Sequence, residues 1–208
     1  RLSSHDGVQA LVHPDGVYDD PKGGKLREFI YERLRYRFQF QNEFRLFHEI
    51  DHSIKYSINI YGLRKTPEFI NISNLFHPKT VNASFSHDGK GEVMGIKNEE
   101  GQWSISGHQD RIINLNQSSL SLFSKLYDEA GTAPLRARLP SLHTKQLLDA
   151  LEKFEDSAKC LGDLSKKEIF STNHWNETVA QKDGTIIRET KFPSDLSNLV
   201  LSGPHFFC

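Results

Sequence analysis

The 208-residue sequence predicts a mixed α/β to α+β fold, and three observations carry that prediction. A short apolar run is followed by a glycine-rich turn and a helical pattern. Two stretches of alternating apolar and polar residues come next. The remaining sequence mixes short strands with two helices. The first four elements therefore form a strand–helix–strand–strand unit with an antiparallel final pair, and a smaller α+β region follows.

The first strand and the helix after it are predicted from turn signals and spacing. Residues 8–12 form an apolar run closed by Pro-Asp-Gly at 14–16, which is typical of a buried strand. A glycine pair at 23–24 opens the next element. That element places apolar residues at helical spacing, with charged residues on its other faces: Leu26, Phe29, Ile30 and Leu34. We expect these four side chains to face the core.

Two further strands are predicted at residues 36–46 and 53–61. Each keeps its apolar side chains on one parity, with a single interruption at Asn42: Phe38, Phe40, Phe44 and Leu46 in the first, and Ile54, Tyr56, Ile58 and Ile60 in the second. Alternation of this length is typical of strands with one face buried. A short loop around residues 49–52 joins them, so antiparallel pairing is expected.

Shorter strands are expected in the middle of the chain. Residues 69–76 have strand or loop character, and residues 110–115 indicate a short strand or turn. Two strands at 92–97 and 103–106 are separated by the hairpin turn signal Asn-Glu-Glu-Gly at 98–101.

Two helices and one strand are predicted in the second half of the chain. One helix begins near Asn116 or Ser118 and ends at Gly131, with a polar cap before it. The second covers residues 141–156 and is expected to bury one stripe: Leu147, Leu148, Leu151 and Phe154. A turn at 182–184 precedes an alternating strand at 185–192.

Composition excludes several classes of protein. The formal net charge of −1 gives no global basic bias toward nucleic acid, and no apolar run reaches membrane-spanning length. Cys160 and Cys208 provide neither a disulfide framework nor zinc spacing, which fits a cytoplasmic protein. The chain starts at Arg1 without Met and stops in an apolar run, so we expect a piece of a longer protein, with a processed mature protein as the alternative.

Motifs for phosphate and metal chemistry are scarce. Neither the P-loop nor the dinucleotide-binding glycine pattern occurs, which argues against an ATPase motor in this chain. His13 and Asp15 lie just past the first strand, where open α/β sheets bind ligands, although a turn with local hydrogen bonds is the favoured interpretation. Ten histidines include no helical metal-binding pair, and His48 and His52 fall in a predicted loop.

Asp183, Glu189 and Lys191 are spaced as in many metal-dependent nucleases. There, two carboxylates hold Mg²⁺ and a lysine orients or activates water. An exposed strand with alternating charges produces the same short pattern. A nuclease domain of a restriction subunit is therefore retained as an alternative function.

Basic residues cluster locally despite the near-zero total charge. Five of them are candidates for contact with a DNA backbone: Lys25, Arg35, Arg37, Arg136 and Arg138. The alternative is a solvated helix face, with Glu28 and Glu32 as partners, and the sequence alone favours that alternative. A plain α+β interaction domain without DNA binding is the third functional hypothesis.

The first unit resembles the later part of bacterial adenine-N6 DNA methyltransferases, above all those of type IIG restriction–modification proteins and type I systems. The resemblance rests on Val-Gln-Ala-Leu-Val-His-Pro-Asp-Gly-Val at 8–17, Gly-Gly-Lys-Leu-Arg-Glu-Phe-Ile-Tyr at 23–31, and Arg-Phe-Gln-Phe-Gln-Asn-Glu-Phe-Arg-Leu-Phe at 37–47. The tail phrases at 190–193 and 201–207 are also similar to the downstream region of these enzymes.

The resemblance implies a division of the chain and a role. Residues 1–62 are expected to be the C-terminal half of a methyltransferase-type sheet. Residues 63–208 are expected to be a connector and the beginning of a DNA target-recognition region. The family's cofactor-binding glycine motif and its Asn-Pro-Pro-(Tyr/Phe) motif occur nowhere in the sequence. The chain is therefore expected to be inactive by itself, as scaffold and DNA-facing surface of a parent enzyme that methylates adenine at specific sites, restricts DNA, or does both.

Cofactors and partners follow from the same resemblance. S-adenosylmethionine is expected only in the intact parent, and Mg²⁺ only under the nuclease alternative. Expected partners are double-stranded DNA, the rest of the parent polypeptide or its subunits, and a second copy paired through the edge of the first strand. No membrane partner is expected.

Overall fold

The computed structural model describes residues 7–155, residues 176–187 and residue 195. The chain divides into two compact units, residues 1–158 and 159–208. Within the described ranges, no helix is both long and apolar enough to cross a membrane.

A mixed five-stranded sheet organises the first unit, with its strands in the order β1-β3-β2-β4-β5. The strands are β1 (Gln9–Pro14), β2 (Leu34–Gln41), β3 (Lys55–Tyr61), β4 (Glu68–Leu75) and β5 (Ile113–Asn116). β3 runs antiparallel between β1 and β2, β4 is parallel to β2, and β5 is antiparallel to β4. The predicted fold class, including the antiparallel strand pair, is confirmed.

The second strand is shorter than the alternation predicts. β2 ends at Gln41, and a 3₁₀ turn covers Asn42–Phe44. The buried amide of Asn42 donates to the carbonyl oxygens of Phe47 and Ile50 at 2.8 Å each, which holds the loop in a tight turn. The prediction that this strand continues to Leu46 was therefore wrong. The Asn42 side chain donates hydrogen bonds to the loop backbone, and the chain turns there.

The expectation of a buried first strand was also wrong. β1 forms in the predicted place, but Leu11 and Val12 are 51% and 56% exposed. β1 lies at one end of the sheet, and among the described strands it pairs with β3 alone. An edge strand has half of its surroundings open, so an apolar composition does not ensure burial.

Six helices accompany the strands: α1 (Gly16–Asp19), α2 (Gly24–Tyr31), α3 (Lys79–Phe85), α4 (Gln117–Tyr127), α5 (Lys145–Glu155) and α6 (Glu177–Lys182) within the described residues. α4 begins where the sequence predicts. The Asn116 side chain accepts from the backbone N–H groups of Ser118 and Ser119, and the Ser119 hydroxyl completes a capping box. α4 ends at Tyr127, before the predicted end at Gly131, which has φ 87°. We call residues 128–144 the segment after α4.

α2 turns a different face to the core than its apolar pattern predicts. Leu26 and Phe29 are 55% and 69% exposed, whereas Arg27 and Tyr31 are buried. The Tyr31 hydroxyl donates to the carbonyl oxygen of Ala137 at 2.7 Å. The Arg27 guanidinium donates to the backbone carbonyl oxygens of Val17, Asp20 and Arg136. Because these polar groups find partners inside the molecule, they displace Leu26 and Phe29 from the core-facing stripe.

Other differences follow from packing. The strands expected at 92–97 and 103–106 reduce to a single bridge between Lys97 and Trp103. The turn between them does form, with Gly101 at φ 77°. α3 was not predicted. α5 begins at Lys145 and packs with Leu148 and Leu151, but its predicted core residues Leu147 and Phe154 are exposed.

The predicted boundary at residue 62 falls within the sheet. β4 and β5 follow that residue, and both belong to the same sheet as β1, β2 and β3. In the second unit, Asn176 caps α6 by accepting from the backbone N–H of Val179, and the predicted turn at 182–184 follows. Residues 185–187 are not in a strand, and the rest of the predicted strand at 185–192 lies outside the described residues.

Two hydrophobic cores cover the sheet. The larger is built from residues of α1, α2, β2, β4, β5, α4 and the segment after α4: Tyr18, Tyr31, Leu34, Phe69, Ile113, Leu115, Leu120, Leu122, Phe123, Ala137, Leu139 and Leu142. The smaller consists of Phe40, Tyr56, Ile72 and Leu75, with Val81 of α3 and Ile112 packed against it. Burial of these side chains supplies the main driving force for folding.

Phenylalanine truncation distinguishes the observed core from the predicted one. We expect Phe123→Ala to lower the free energy of unfolding by about 3–5 kcal/mol, since Phe123 is fully buried. Phe29→Ala should change it by less than about 0.5 kcal/mol, because Phe29 is mostly exposed. Urea denaturation followed by circular dichroism measures both values. A loss above about 2 kcal/mol for Phe29→Ala would mean that α2 buries its apolar stripe after all.

Candidate functional site

The carboxyl ends of three parallel strands meet at one edge of the sheet. β1 and β2 both run antiparallel to β3 and are therefore parallel to each other, and β4 is parallel to β2. In open α/β sheets, ligands bind outside this edge. Asp15 follows β1 directly, Gln39 lies near the end of β2, and Asn74 lies near the end of β4. These three residues define the part of the sheet where a site is expected.

A buried ion pair joins two of these strands. The Arg37 guanidinium donates to Asp15 Oδ2 at 2.6 Å, and both side chains are almost fully buried. Gln39 Nε2 donates to the same carboxylate oxygen at 2.5 Å. Arg37 also donates to Asn71 Oδ1 at 2.7 Å, and its guanidinium carbon lies 4.5 Å from the centre of the Tyr18 ring. Asp15 thus contacts Arg37 instead of capping α1, so the favoured local-turn interpretation was wrong for this side chain.

The buried polar side chains around Arg37 form a layer, which we call the polar layer. It continues across β3 to β1. The Tyr18 hydroxyl donates to Asn59 Oδ1 at 2.6 Å, and Asn59 Nδ2 donates to the Ser57 hydroxyl at 2.9 Å. His13 Nε2 lies 3.0 Å from both Asn59 Nδ2 and the Tyr61 hydroxyl, while its Nδ1 lies 2.9 Å from the carbonyl oxygen of Pro14. The Asn59 amide and the Pro14 carbonyl oxygen suit a ring that accepts at Nε2 and donates from Nδ1.

The phenols of this layer stay protonated. Burial raises the pKa of Tyr18 well above its ordinary value and also raises the pKa of Tyr61. Asp15 is only 3% exposed, and its Oδ1 has no hydrogen-bond partner among the described residues. We therefore interpret the Asp15–Arg37 layer as a rigid support for the loops at the carboxyl edge, since a ligand has no direct access to its charged atoms.

A basic cleft of about 620 Å³ lies beside the N-terminal end of α2. We use this name for the cleft lined by five cationic side chains: Lys22, Lys25, Arg27, Arg136 and Arg138. Lys22 and Lys25 belong to the connection between β1 and α2 and to the first turn of α2. The two later arginines lie in the segment after α4. The fold therefore brings together three of the five predicted DNA-binding residues, Lys25, Arg136 and Arg138.

Arg27 gives the basic cleft its shape. Its Nε donates to the carbonyl oxygen of Arg136 at 2.9 Å, and one terminal nitrogen donates to the carbonyl oxygens of Val17 and Asp20 at 3.0 and 2.7 Å. A single buried guanidinium thus ties the segment after α4 to α1 and to the turn before α2. Gly24 allows this close approach, because a Cβ there would lie 3.3 Å from the Cβ of Arg136.

Two of the cleft's arginines are already paired with carboxylates. Arg136 Nε donates to Glu28 at 2.9 Å, and Arg138 donates to Asp128 through its Nε at 2.8 Å and its backbone N–H at 2.9 Å. In the part of the chain that the structure describes, no carboxylate lies within ion-pair distance of Lys22 or Lys25. These two exposed lysines are the cations most available to an anionic ligand.

The other two predicted DNA-binding residues lie elsewhere. Arg37 is fully buried in the polar layer and reaches no solvent. Arg35 donates to the carbonyl oxygens of Leu34 and Leu63 and lines a small cleft with Lys65 and Glu68. Desolvation lowers the pKa of Arg35 from its ordinary value. Contact of DNA with Arg35 stays a prediction. Arg37 does not line the basic cleft.

The residues of the nuclease alternative are described only in part. Asp183 follows α6, and hydrogen bonds from the Thr185 hydroxyl and from the Thr185 backbone N–H, the latter at 3.0 Å, lower the pKa of its carboxyl group. Glu189 and Lys191 lie outside the described residues. Among the residues described, no group of three or more histidine, cysteine, aspartate or glutamate side chains is arranged to hold a metal ion.

Sequence reasoning missed the burial of the polar face. Asn59 alternates with isoleucines in β3, so the period-two pattern predicted one buried and one solvated face there, whereas residues 69–76, which include Asn71, were expected only to have strand or loop character. Both faces are buried, since α1, α2 and α4 cover the polar one. The sequence contained one indication of this burial. The polar face carries Asn and Ser, which hydrogen-bond to each other inside a protein, whereas a solvated face typically carries Lys and Glu.

A second cleft, of about 600 Å³, was also missed. It lies between the loop after β2 and the bridge at Lys97–Trp103, and its walls are largely apolar: Phe44, Met94, Trp103 and Ile105. Trp103 packs against the buried ring of Phe76 at 4.6 Å, and the Lys97 ammonium lies 4.3 Å from the centre of the indole. These residues are widely spaced in sequence and show no common pattern.

Comparison with known proteins adds one structural similarity. No family model matches the chain, and no curated protein matches it. A chain in a solved structure of the type I restriction–modification (R-M) system, which concerns complex assembly and conformational transition, aligns with 73% of this chain at 13% sequence identity and a TM-score of 0.35. The aligned region covers 33% of that chain, so the present chain spans about a third of its length.

Breaking the buried ion pair should destabilise the protein strongly. We expect Asp15→Asn to cost about 3–5 kcal/mol, because Arg37 would keep its charge in the interior without a counter-charge. The exposed pair Lys65–Glu68 provides the control, since Glu68→Gln should cost less than about 1 kcal/mol. Equal losses for the two variants in urea denaturation would contradict a supporting role for the Asp15–Arg37 pair.

His143 should make the fold sensitive to acid. Burial lowers its pKa below the ordinary value; its Nε2 donates to the carbonyl oxygen of Met94 at 2.9 Å, and its Nδ1 has no partner among the described residues. The unfolded chain therefore binds the proton more tightly, and stability falls as the pH drops below about 6.5. Between about pH 7.5 and about pH 5, the His143→Gln variant should lose less stability than the unmodified chain. Identical pH profiles would exclude this role for His143.

Proposed function

We propose that the chain is a non-catalytic part of a DNA restriction–modification enzyme. In this proposal it contributes scaffold and a DNA-facing surface for sequence-specific adenine methylation, restriction, or both, and is inactive by itself. Two things support the proposal. β1, α2, β2 and β3 form the strand–helix–strand–strand unit that the resemblance to adenine-N6 methyltransferases implies. The basic cleft is a suitable surface for a DNA backbone.

The basic cleft is the observation that carries the proposal. Five cationic side chains line it, against two lining carboxylates, Asp128 and Glu129, in the described part of the chain. Asp128 is already neutralised by Arg138. The local excess of positive charge therefore rests mainly on Lys22 and Lys25, which project from the first turns after β1. Clustered cations of this kind neutralise phosphates and release counterions, which is the main source of affinity for DNA.

The architecture of the cleft favours an extended anion over a small one. Its cations come from two segments about 110 residues apart in sequence, and Arg27 fixes their separation through backbone hydrogen bonds. Cations from two segments around one cleft suit a ligand that carries several phosphates, as a DNA strand does. Base reading is not part of this proposal, because phosphate contacts position a protein on DNA without specifying its sequence.

Cofactor chemistry belongs to the remainder of the proposed parent enzyme. S-adenosylmethionine would donate the methyl group there, and we assign it no contact with this chain. In this proposal, the residues of this chain hold the duplex and support the loops at the carboxyl ends of the parallel strands. Partner subunits or the rest of the parent polypeptide would supply the reacting groups.

The proposal predicts salt-dependent binding to double-stranded DNA through two lysines. The double variant Lys22→Ala/Lys25→Ala should bind more weakly, and its plot of log affinity against log salt should be shallower by about 0.9 for each phosphate that the variant no longer neutralises. The matched control is Lys79→Ala/Lys153→Ala, which removes two exposed lysines outside the cleft. Fluorescence anisotropy with a labelled duplex across a salt series measures both.

Each outcome of this experiment has a distinct meaning. Equal losses of affinity in the two double variants would remove the basic cleft from the proposal, and absence of binding would contradict a DNA-facing role for the chain. The series is repeated with Mg²⁺. Magnesium-dependent cleavage that disappears in Glu189→Ala would favour the nuclease alternative. We expect binding without cleavage.

A further inference from the structure

Arg27 is a buried cation without a full counter-charge. The residue is 1% exposed, and no carboxylate of the described residues lies within ion-pair distance of its guanidinium. Its partners are the backbone carbonyl oxygens of Val17, Asp20 and Arg136, which carry only partial negative charges. Removing a cation from water is costly unless a full opposite charge compensates it. An anion bound beside Arg27 would supply that charge.

One nitrogen of Arg27 has no partner, and Arg27 lines the basic cleft. Nε and Nη1 donate to the three carbonyl oxygens, whereas Nη2 has no hydrogen-bond partner among the described residues. Nη2 is not sealed from solvent, unlike Nε of Arg111, which is buried and also has no described partner. Gly23 keeps this arrangement open, because a Cβ there would lie 2.7 Å from Nη1 of Arg27. A ligand in the basic cleft can therefore reach Nη2.

We propose that the basic cleft holds a phosphate group against Nη2 of Arg27, with the ammonium groups of Lys22 and Lys25 as further contacts. A carboxylate fits less well, because arginine holds it best through two parallel hydrogen bonds and two of the three nitrogens are occupied. A tetrahedral phosphate can direct separate oxygens to Nη2 and to the lysines. This inference deepens the proposed function, in which a DNA strand is the source of the phosphate; free inorganic phosphate has the same chemistry.

Arginine side-chain signals in NMR spectra of the unmodified chain test the phosphate contact. Inorganic phosphate, added at constant ionic strength, should shift the Nε–H signal of Arg27 until the shift saturates. The Nε–H signal of Arg111 is the matched control, because Arg111 is equally buried, donates to carbonyl oxygens and does not line the basic cleft. Acetate should leave the Arg27 signal unchanged. An Arg27 signal that ignores phosphate, or that acetate shifts equally, would overturn the inference.

A pair of conservative variants tests the same contact by affinity. Arg27→Lys keeps the positive charge but replaces three nitrogens with one, and it should weaken binding of inorganic phosphate by about tenfold. Arg33→Lys makes the same exchange at an exposed position outside the basic cleft and should leave the affinity unchanged. Equal affinities of the two folded variants would count against Arg27. Circular dichroism measures folding, and the spectra of the unmodified chain decide the matter if Arg27→Lys does not fold.

A DNA duplex, added in place of inorganic phosphate, separates this inference from the proposed function. We expect both probes to shift the Arg27 signal. A shift with inorganic phosphate in a chain that binds no duplex would support the phosphate site and contradict the DNA-facing role. Duplex binding with an Arg27 signal that neither probe shifts would leave the DNA-facing role standing and overturn the phosphate contact at Arg27.

Discussion

The buried ion pair between Arg37 and Asp15 is the constraint on which the rest of the sheet depends. A guanidinium in the centre of a sheet is costly unless every strand around it supplies partners. Asp15 provides the counter-charge from the end of β1, Asn71 of β4 accepts a hydrogen bond, and the Tyr18 ring of α1 lies against the guanidinium. The pair therefore links three parallel strands and one helix and holds their relative positions.

This polar layer explains why the central strands are buried on both faces. One face carries the Arg37 network and the helices above it, and the other carries the core around Phe40 and Ile72. A sheet held in this way provides a rigid base for the loops at its carboxyl edge. The exposed β1 is the exception to this arrangement, because it lies at one end of the sheet and pairs, among the described strands, with β3 alone.

Arg27 has a comparable role for the basic cleft. Its guanidinium satisfies carbonyl oxygens from α1, the turn before α2 and the segment after α4, which holds the cationic side chains of the two segments around one space. Two cleft arginines have carboxylate partners, and Lys22 and Lys25 remain available. One buried arginine thus supports the sheet, a second shapes the cleft, and the exposed lysines carry positive charge without a carboxylate partner among the described residues.

The sequence by itself determined the elements whose signals are local. Alternation predicted β2 and β3, the glycine pair predicted the start of α2, and Asn116 predicted the start of α4, because caps and periodicity depend on near neighbours. Tertiary structure decided which faces are buried. It exposed Phe29 and buried Arg27 and Arg37, since hydrogen-bond partners from distant segments offset the cost of burying charge. It also brought Lys25 and Arg136 to one cleft, because residues about 110 positions apart meet only after the chain has folded.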